Sequence, residues 1–345
     1  TGAIFQNGQK VKQLDTVKLS GEYWHQAMPE AKQSGCCRPC PIACEASHRP
    51  SKGKPLHIPR TERPEYETLA MLGSNLGIDS SLDVMDGNDA CNQFGVDTIS
   101  SGALISLVCE LAQRGWFPDG WAEGEINGLP AFISLEGELI AWEFGNPKLP
   151  PLALARLANP SGMFTILAGG AVASSRWVEQ ETGHPATRLT AHCKGLDLPA
   201  WDPRGKRGNA MAYMTCNVGA NHMRAGYKNP TGIPNSSALD LIPELIHSQN
   251  ESVIRDSMIL CAFASGATPD DVLVNAFNGI TGDNASIEDL HLRANKQWDA
   301  ARQWNVEHWL KIGVEPRQQD LLSYRLRRDA LPDGPAAGMV SFVDD

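Results

Sequence analysis

The sequence predicts a mainly α chain folded as two helical domains. Apolar residues recur at helical spacing between cap residues, whereas strand-like alternation is confined to one short stretch. A run of turn formers breaks the composition at Thr190–Gly208, and 345 residues suit about two domains. The boundary is therefore set just before that run, giving residues 1–190 and 191–345.

Thr1–Ser34 begins irregular and turns mildly helical. A cysteine-rich segment follows, then a basic, Pro-rich loop, His48–Arg60. Glu65–Leu76 reads as a helix entered after Pro64, and Ser81–Asn92 as a second. Asp97 is the expected N-cap of a third helix, which Gly115 ends. In it Ile99, Ala103, Leu104, Leu107, Val108 and Leu111 share one face. Trp116–Pro151 is rich in Gly and Pro, and its alternating piece AFISLEGELIAW reads as a small hairpin or an insertion. Leu152–Ala158 is a short helix. Beyond the boundary Ser252–Ser265 reads as helical, and Ser286 with Asp289 resembles a capping box opening a long amphipathic helix to about Leu310. The tail from Asp333 is rich in Gly, Pro and Ala, and no internal repeat interrupts the chain.

Composition narrows the function. Hydrophobic residues make up 42% and charged residues 20%, an ordinary globular balance. The net charge of -10 argues against a nucleic-acid-binding face and suits an enzyme that docks an electron carrier locally. No stretch approaches the roughly eighteen apolar residues of a membrane span. The N-terminus lacks the apolar core of a signal peptide and an initiator Met, so a processed chain or a piece of a longer one is expected. Nine cysteines, an odd number crowded at one end, point to a reducing compartment and a cytoplasmic location.

The crowding is at Gly35–His48, GCCRPCPIACEASH. Thiols at Cys37, Cys40 and Cys44 can reach three corners of one iron–sulfur cubane, with a fourth ligand from elsewhere. The order reverses the C-x3-C-x2-C of radical-SAM enzymes and argues against that class. A zinc site of Cys37, Cys40, Cys44 and His48 is the rival, and Cys36 offers a second register with Cys40 and Cys44. Cys91, Cys109, Cys193 and Cys216 read as core residues, as does Cys261 taken alone.

Six segments, in order, bear a family resemblance: CRPCPIAC, PEYETLAMLGSNLGI, CNQFGVDTISSG, LPAWDPRG, NVGANHMRAGY and DSMILCAF. Together they resemble the second and third domains of the tungsten-dependent aldehyde ferredoxin oxidoreductases, over nearly the whole chain. The resemblance implies a tungsten (or molybdenum) bis-pterin cofactor and a [4Fe–4S] cluster. It implies cluster ligands Cys37, Cys40 and Cys44, with Cys261 as the fourth. Asp256 matches the pterin-binding acid of one motif, and Asn92 and Asp97 match the sister motif. Two departures stand out. Asn92 replaces an acid, and Ile259 replaces a glycine, where close backbone approach to the pterin would be blocked.

The resemblance also implies aldehyde oxidation with ferredoxin as acceptor. Glu67 would be the base, His222 would donate a hydrogen bond to the aldehyde oxygen, and Tyr66 would assist. Without it, Glu67 would read as a surface carboxylate, with Glu65 as a rival, and His222 as a loop histidine. Trp201 stands where relatives carry an aromatic residue near the substrate, and Asp202 with Arg204 reads as a rigid turn pinned by an ion pair. Glu288-x-x-His291 and Glu244-x-x-His247 read as surface contacts, and Trp298, Trp304 and Trp309 as a packing stripe. Nothing resembles the family's N-terminal saddle domain, so a missing domain or partner subunit is expected, with a homo-oligomer possible. The alternatives are a related tungsten subunit of aromatic acyl-CoA reductase type, or a non-enzymatic Fe–S or zinc module of a larger complex.

Overall fold

A computed structural model describes residues 6–9, 16–28, 32–34, 40, 42–48, 61–225, 238–266, 268–334 and 336–341. The expected mainly α character holds. Helix α1 (Gly21–Ala27) begins at Ser20, whose hydroxyl accepts from Tyr23 N. Short antiparallel strands β1 (Lys32–Ser34), β2 (Glu45–His48) and β3 (Thr61–Glu62) follow.

The stretch predicted as one helix over Glu65–Leu76 is helical but irregular. It runs as α2 (Tyr66–Thr68), a π turn (Leu69–Gly73) and a 3-10 turn (Ser74–Leu76). Close packing accompanies the irregularity. A Cβ at Gly102 would lie 2.4 Å from the Met71 carbonyl oxygen, so only glycine lets the next long helix approach this turn. Asn75 Nδ2 then donates to Gly102 O at 3.1 Å.

Helices α3 (Ser81–Phe94) and α4 (Thr98–Arg114) match expectation closely. Asp97 caps α4 by accepting from Ser100 N at 2.7 Å, and Gly115 ends it in the left-handed region. The Gly/Pro-rich stretch contains an antiparallel sheet of β4 (Gly124–Ile126), β5 (Leu129–Ile133) and β6 (Leu139–Ala141). Helices α5 (Leu149–Ala158), α6 (Met163–Leu167) and α7 (Gly170–Thr182) complete the first half. Only α5 had been anticipated, because the glycines of α6 and α7 hide a helical period. One buried cluster gathers Leu72, Leu107, Phe132, Trp142, Phe164 and their neighbours through Leu189.

Strands β7 (His192–Cys193) and β8 (Leu196–Asp197) pair as a tight hairpin. Helix α8 (Arg207–Thr215) rises from the end of the expected loop. A second cluster joins Met71, Cys193, Leu198, Tyr213, Leu322 and Leu326. The buried Asp202–Arg204 turn is as expected: Arg204 Nε donates to Asp202 Oδ1 at 3.0 Å and Nη2 to Oδ2 at 2.6 Å. Helix α9 (Ala238–Ser257) stops where the helix read over Ser252–Ser265 should continue. Ile259 takes φ 56°, so the chain turns at Met258–Cys261 before the short α10 (Ala262–Ser265). Helix α11 (Asp270–Thr281) was not anticipated. Helix α12 (Ile287–Lys311) opens on the expected capping box: Ser286 Oγ accepts from Asp289 N and Asp289 Oδ2 accepts from Ser286 N. The tryptophan stripe is only partial, because Trp304 is 74% exposed. Short helices α13 (Pro316–Gln319) and α14 (Tyr324–Arg328) return the chain to the first half. There Arg325 Nη2 meets the fully buried Glu110 of α4 at 2.6 Å.

Among the described residues no single helix is long and apolar enough to cross a membrane.

Candidate active site between the two buried clusters

The helical run after Pro64 belongs to both clusters. Leu72 and Leu76 face the first and Met71 the second, so the side chains at its start lie at the seam. Thr68 Oγ1 lies 3.0 Å from Thr98 Oγ1, which ties this start to the capped end of α4.

Glu67 projects into the seam, with its side chain 16% exposed. Its Oε2 accepts from Ala200 N at 2.6 Å, and its Oε1 lies 3.4 Å from His222 Nε2. Desolvation raises its pKa above the usual carboxylate range, opposed by His222 and the Ala200 amide and reinforced by the Asp97 charge. Tyr66 stacks on Trp201 with ring centroids 5.2 Å apart, and burial pushes its phenol up to about 12. Beneath them Tyr213 is fully buried, with its OH 3.3 Å from the Trp201 carbonyl.

His222 sits in a braced turn. Asn221 Oδ1 accepts from Met223 N at 2.8 Å, an Asx turn that fixes the loop locally. At Gly219, with φ 111°, a Cβ would lie 2.5 Å from the Cys193 carbonyl oxygen, so the preceding turn needs glycine. Arg255 Nη2 donates to Met223 O at 2.8 Å, and Arg224 Nη1 donates to Asp256 Oδ2 at 2.5 Å. Asp256 thus anchors the loop that carries His222. It also lines a cavity of about 200 Å³ with Asn217, Arg224, Gln297 and Trp298.

The structure therefore brings together Tyr66, Glu67 and His222, with Asp97 close enough for its charge to act on Glu67. Asn92 is exposed near the end of α3. Asp97 is exposed and already serves as a helix cap. Glu65, the rival carboxylate, is exposed at the start of α2.

The cysteines fall into two groups. Cys91, Cys109, Cys193 and Cys216 are buried core residues, and burial raises every one of their pKa values. Cys40 and Cys44 are half-buried, whereas Cys261 is exposed at the N-cap of α10, unlike the core thiol its apolar surroundings suggest. Cys37, like Cys36, lies outside the described residues. Among the described residues no three His, Cys, Asp or Glu side chains gather around one metal position. The two acid–histidine pairs meet differently from a metal pair: His247 and His291 stack at 4.9 Å, and His247 Nε2 lies 3.3 Å from Glu251.

Sequence reasoning did not find the Ala200 amide, because a backbone donor leaves no trace in residue identity. It also did not single out Arg224, although this residue stands in a quoted motif two positions after His222.

The family described as aldehyde ferredoxin oxidoreductase, domains 2 and 3, matches residues 3–344. The chain belongs to this family. It is 30% identical over 310 residues to the tungsten-containing aldehyde ferredoxin oxidoreductase of Pyrococcus furiosus, covering 88% of this chain and 46% of that protein. The Thermococcus kodakarensis enzyme of the same description is also 30% identical, over 311 residues, 88% of this chain and 47% of that protein. The chain thus spans about half the length of these relatives. In fold it is similar to a chain of the active site complex BamBC of benzoyl coenzyme A reductase. That likeness has a TM-score of 0.68 at 15% identity, over 93% of this chain and 51% of that one. Membership in this family makes the chain an oxidoreductase or part of one.

Proposed function

We propose that this chain forms the catalytic and cluster-binding part of a tungsten-dependent enzyme that oxidises aldehydes to carboxylic acids, with ferredoxin as electron acceptor. The observation that carries the proposal is the carboxylate of Glu67 held between the Ala200 amide and His222.

The residues present suit the implied groups. Asn217 Oδ1 is buried without a hydrogen-bond partner on the wall of the 200 Å³ cavity, beside Asp256. That wall offers the amide and carboxylate donors and acceptors that a pterin ring takes. Asp256 and Asn217 would hold one pterin, and Asn92 and Asp97 the other. Half-buried Cys40 and Cys44 and exposed Cys261, together with Cys37, would supply the thiolate set of a cubane. When bound, the tungsten centre would supply a two-electron sink and the cluster a route for single electrons.

Aldehyde plus water gives carboxylic acid, two protons and two electrons, so the protein must handle protons. A carboxylate with a raised pKa is a stronger base near neutral pH than an ordinary glutamate. Glu67 takes a proton from water, and His222 Nε2, within reach of Oε1, receives or returns it. The imidazole that was expected to face the aldehyde oxygen thus has a second task, holding the base. Exposed Tyr66, stacked on the half-buried Trp201, would line the approach.

The test is aldehyde-dependent ferredoxin reduction by the assembled enzyme purified anaerobically. Glu67→Gln is expected to lower turnover about a thousandfold while tungsten and iron contents stay constant. Full turnover in that variant would remove Glu67 from the role of base.

A further inference from the structure

Arg63 joins the cysteine loop to the segment that carries Glu67. Its backbone N donates to Ala46 O at 2.8 Å, and its Nη2 donates to the Cys44 carbonyl. Its guanidinium carbon lies 5.7 Å from the centroid of the Trp24 ring. Trp24 is 2% exposed and packs with Ala46 and Met85, so the ring is a fixed platform for the guanidinium. The backbone of Arg63 is held as well, because β3 pairs with β2 through Glu62 and Ser47 just before it. In sequence Arg63 stands one helical turn ahead of Glu67.

This contact places a lasting cation beside a cysteine expected to ligate the cluster. The carbonyl oxygen and the sulfur of one cysteine lie within about 5 Å of each other by covalent geometry. A guanidinium bonded to the first is therefore a near neighbour of the second. Arginine stays protonated at any working pH. The acids next to these residues in sequence, Glu45 and Glu62, are exposed, so water screens their charges more than it screens the half-buried guanidinium. Adding an electron to a cubane held by thiolates makes its charge more negative. A fixed cation at this range favours the reduced form, in a chain whose net charge of -10 works against it.

We propose that Arg63, braced by Trp24, is a positioning residue for the iron–sulfur cluster: it holds the Cys44 carbonyl and raises the cluster's reduction potential through its charge. This rests on the reading of Cys37, Cys40, Cys44 and Cys261 as cluster ligands. Arg63 acts through the backbone of one ligand and is not itself a ligand. Trp24 contributes by keeping the guanidinium from swinging out to water.

The experiment uses the assembled enzyme purified anaerobically, with its Arg63→Gln and Arg63→Lys variants. Iron and sulfide contents are measured first. The cluster's own electron paramagnetic resonance signal is then followed through a dithionite titration without substrate. In Arg63→Gln the one-electron reduction equilibrium is expected to fall about tenfold, a potential about 59 mV more negative, at unchanged iron content. Arg63→Lys should restore most of that shift. An unchanged potential in Arg63→Gln would overturn the inference and leave the cluster reading standing. If Arg63→Gln loses iron, recovery of both iron and potential in Arg63→Lys supports the inference. Iron loss in both variants overturns it, because the guanidinium would then serve by shape and not by charge. Wild-type enzyme holding zinc and no iron–sulfur cluster would remove the cluster reading itself, and the inference with it.

Discussion

The two halves of the molecule bury their helices very differently. In the first, α4 hides most of its length, and Phe132, Trp142 and Phe164 pack with centroids 4.9 to 6.0 Å apart. In the second, α10 and α11 have no buried residue, and Phe263 is 64% and Ile259 92% exposed. The contrast is not one of composition, since α11 is strongly amphipathic, with Val272, Val274, Phe277 and Ile280 among its apolar residues. It is one of partners. The first half closes a core on itself, whereas α10 and α11 leave Phe263, Val272 and Ile280 exposed. The candidate site lies where the self-sufficient half meets the other, with Glu67 contributed by one side and Ala200 and His222 by the other.

The largest expected effect comes from cutting the bond between the halves. Glu110 is fully buried and receives Arg325, Arg114 and Asn7. Glu110→Ala would leave the buried Arg325 guanidinium with only the Asn7 carbonyl and the more distant Asp329 carboxylate, at a cost of about 3–5 kcal/mol in denaturant unfolding. A loss below about 1 kcal/mol would mean that the halves hold together without it.

A smaller effect concerns Asp197, which is buried at the end of β8 with Oδ1 unpartnered. Desolvation, opposed by Ser100 and reinforced by Asp97, pushes its carboxyl from the model-peptide value of 3.8 up to about 7. The folded state therefore holds a proton that the unfolded chain releases, and stability declines as pH rises from about 4 to about 7. Asp197→Asn should raise stability by on the order of 2 kcal/mol at pH 8 and by nothing near pH 4. A pH-independent difference would contradict the burial argument.

The smallest effect sharpens the contrast in burial. Trp304 is 74% exposed, and Trp304→Ala should change unfolding stability by less than about 0.5 kcal/mol. The same change at Trp142, 1% exposed, should cost about 3–5 kcal/mol. Similar losses at both would mean that the late helix packs against more than the described residues provide.

Much of the first half was legible in the sequence, because its signals are local. The Asp97 cap, the Gly115 stop and the apolar face of α4 are written within a few residues of where they act. The capping box at Ser286 was legible for the same reason. The π turn after Thr68 was not, since it accompanies Gly102 pressing on Met71 from across the fold. Nor was the break at Ile259, where a β-branched residue takes a left-handed φ that its identity argues against. At the candidate site Glu67 and His222 are expected as a base and a separate hydrogen-bond donor, and the structure adds their direct contact. Ala200 stayed hidden because it acts through its backbone.

The central claim is that Glu67 is a desolvated base regulated by His222. It is tested most directly by titrating the Glu67 carboxyl itself, using 13C-labelled glutamate assigned by comparison with Glu67→Gln. The account predicts a midpoint above the usual glutamate range, moving higher still in His222→Gln, because the imidazole lowers the value. An ordinary midpoint in both proteins would contradict it.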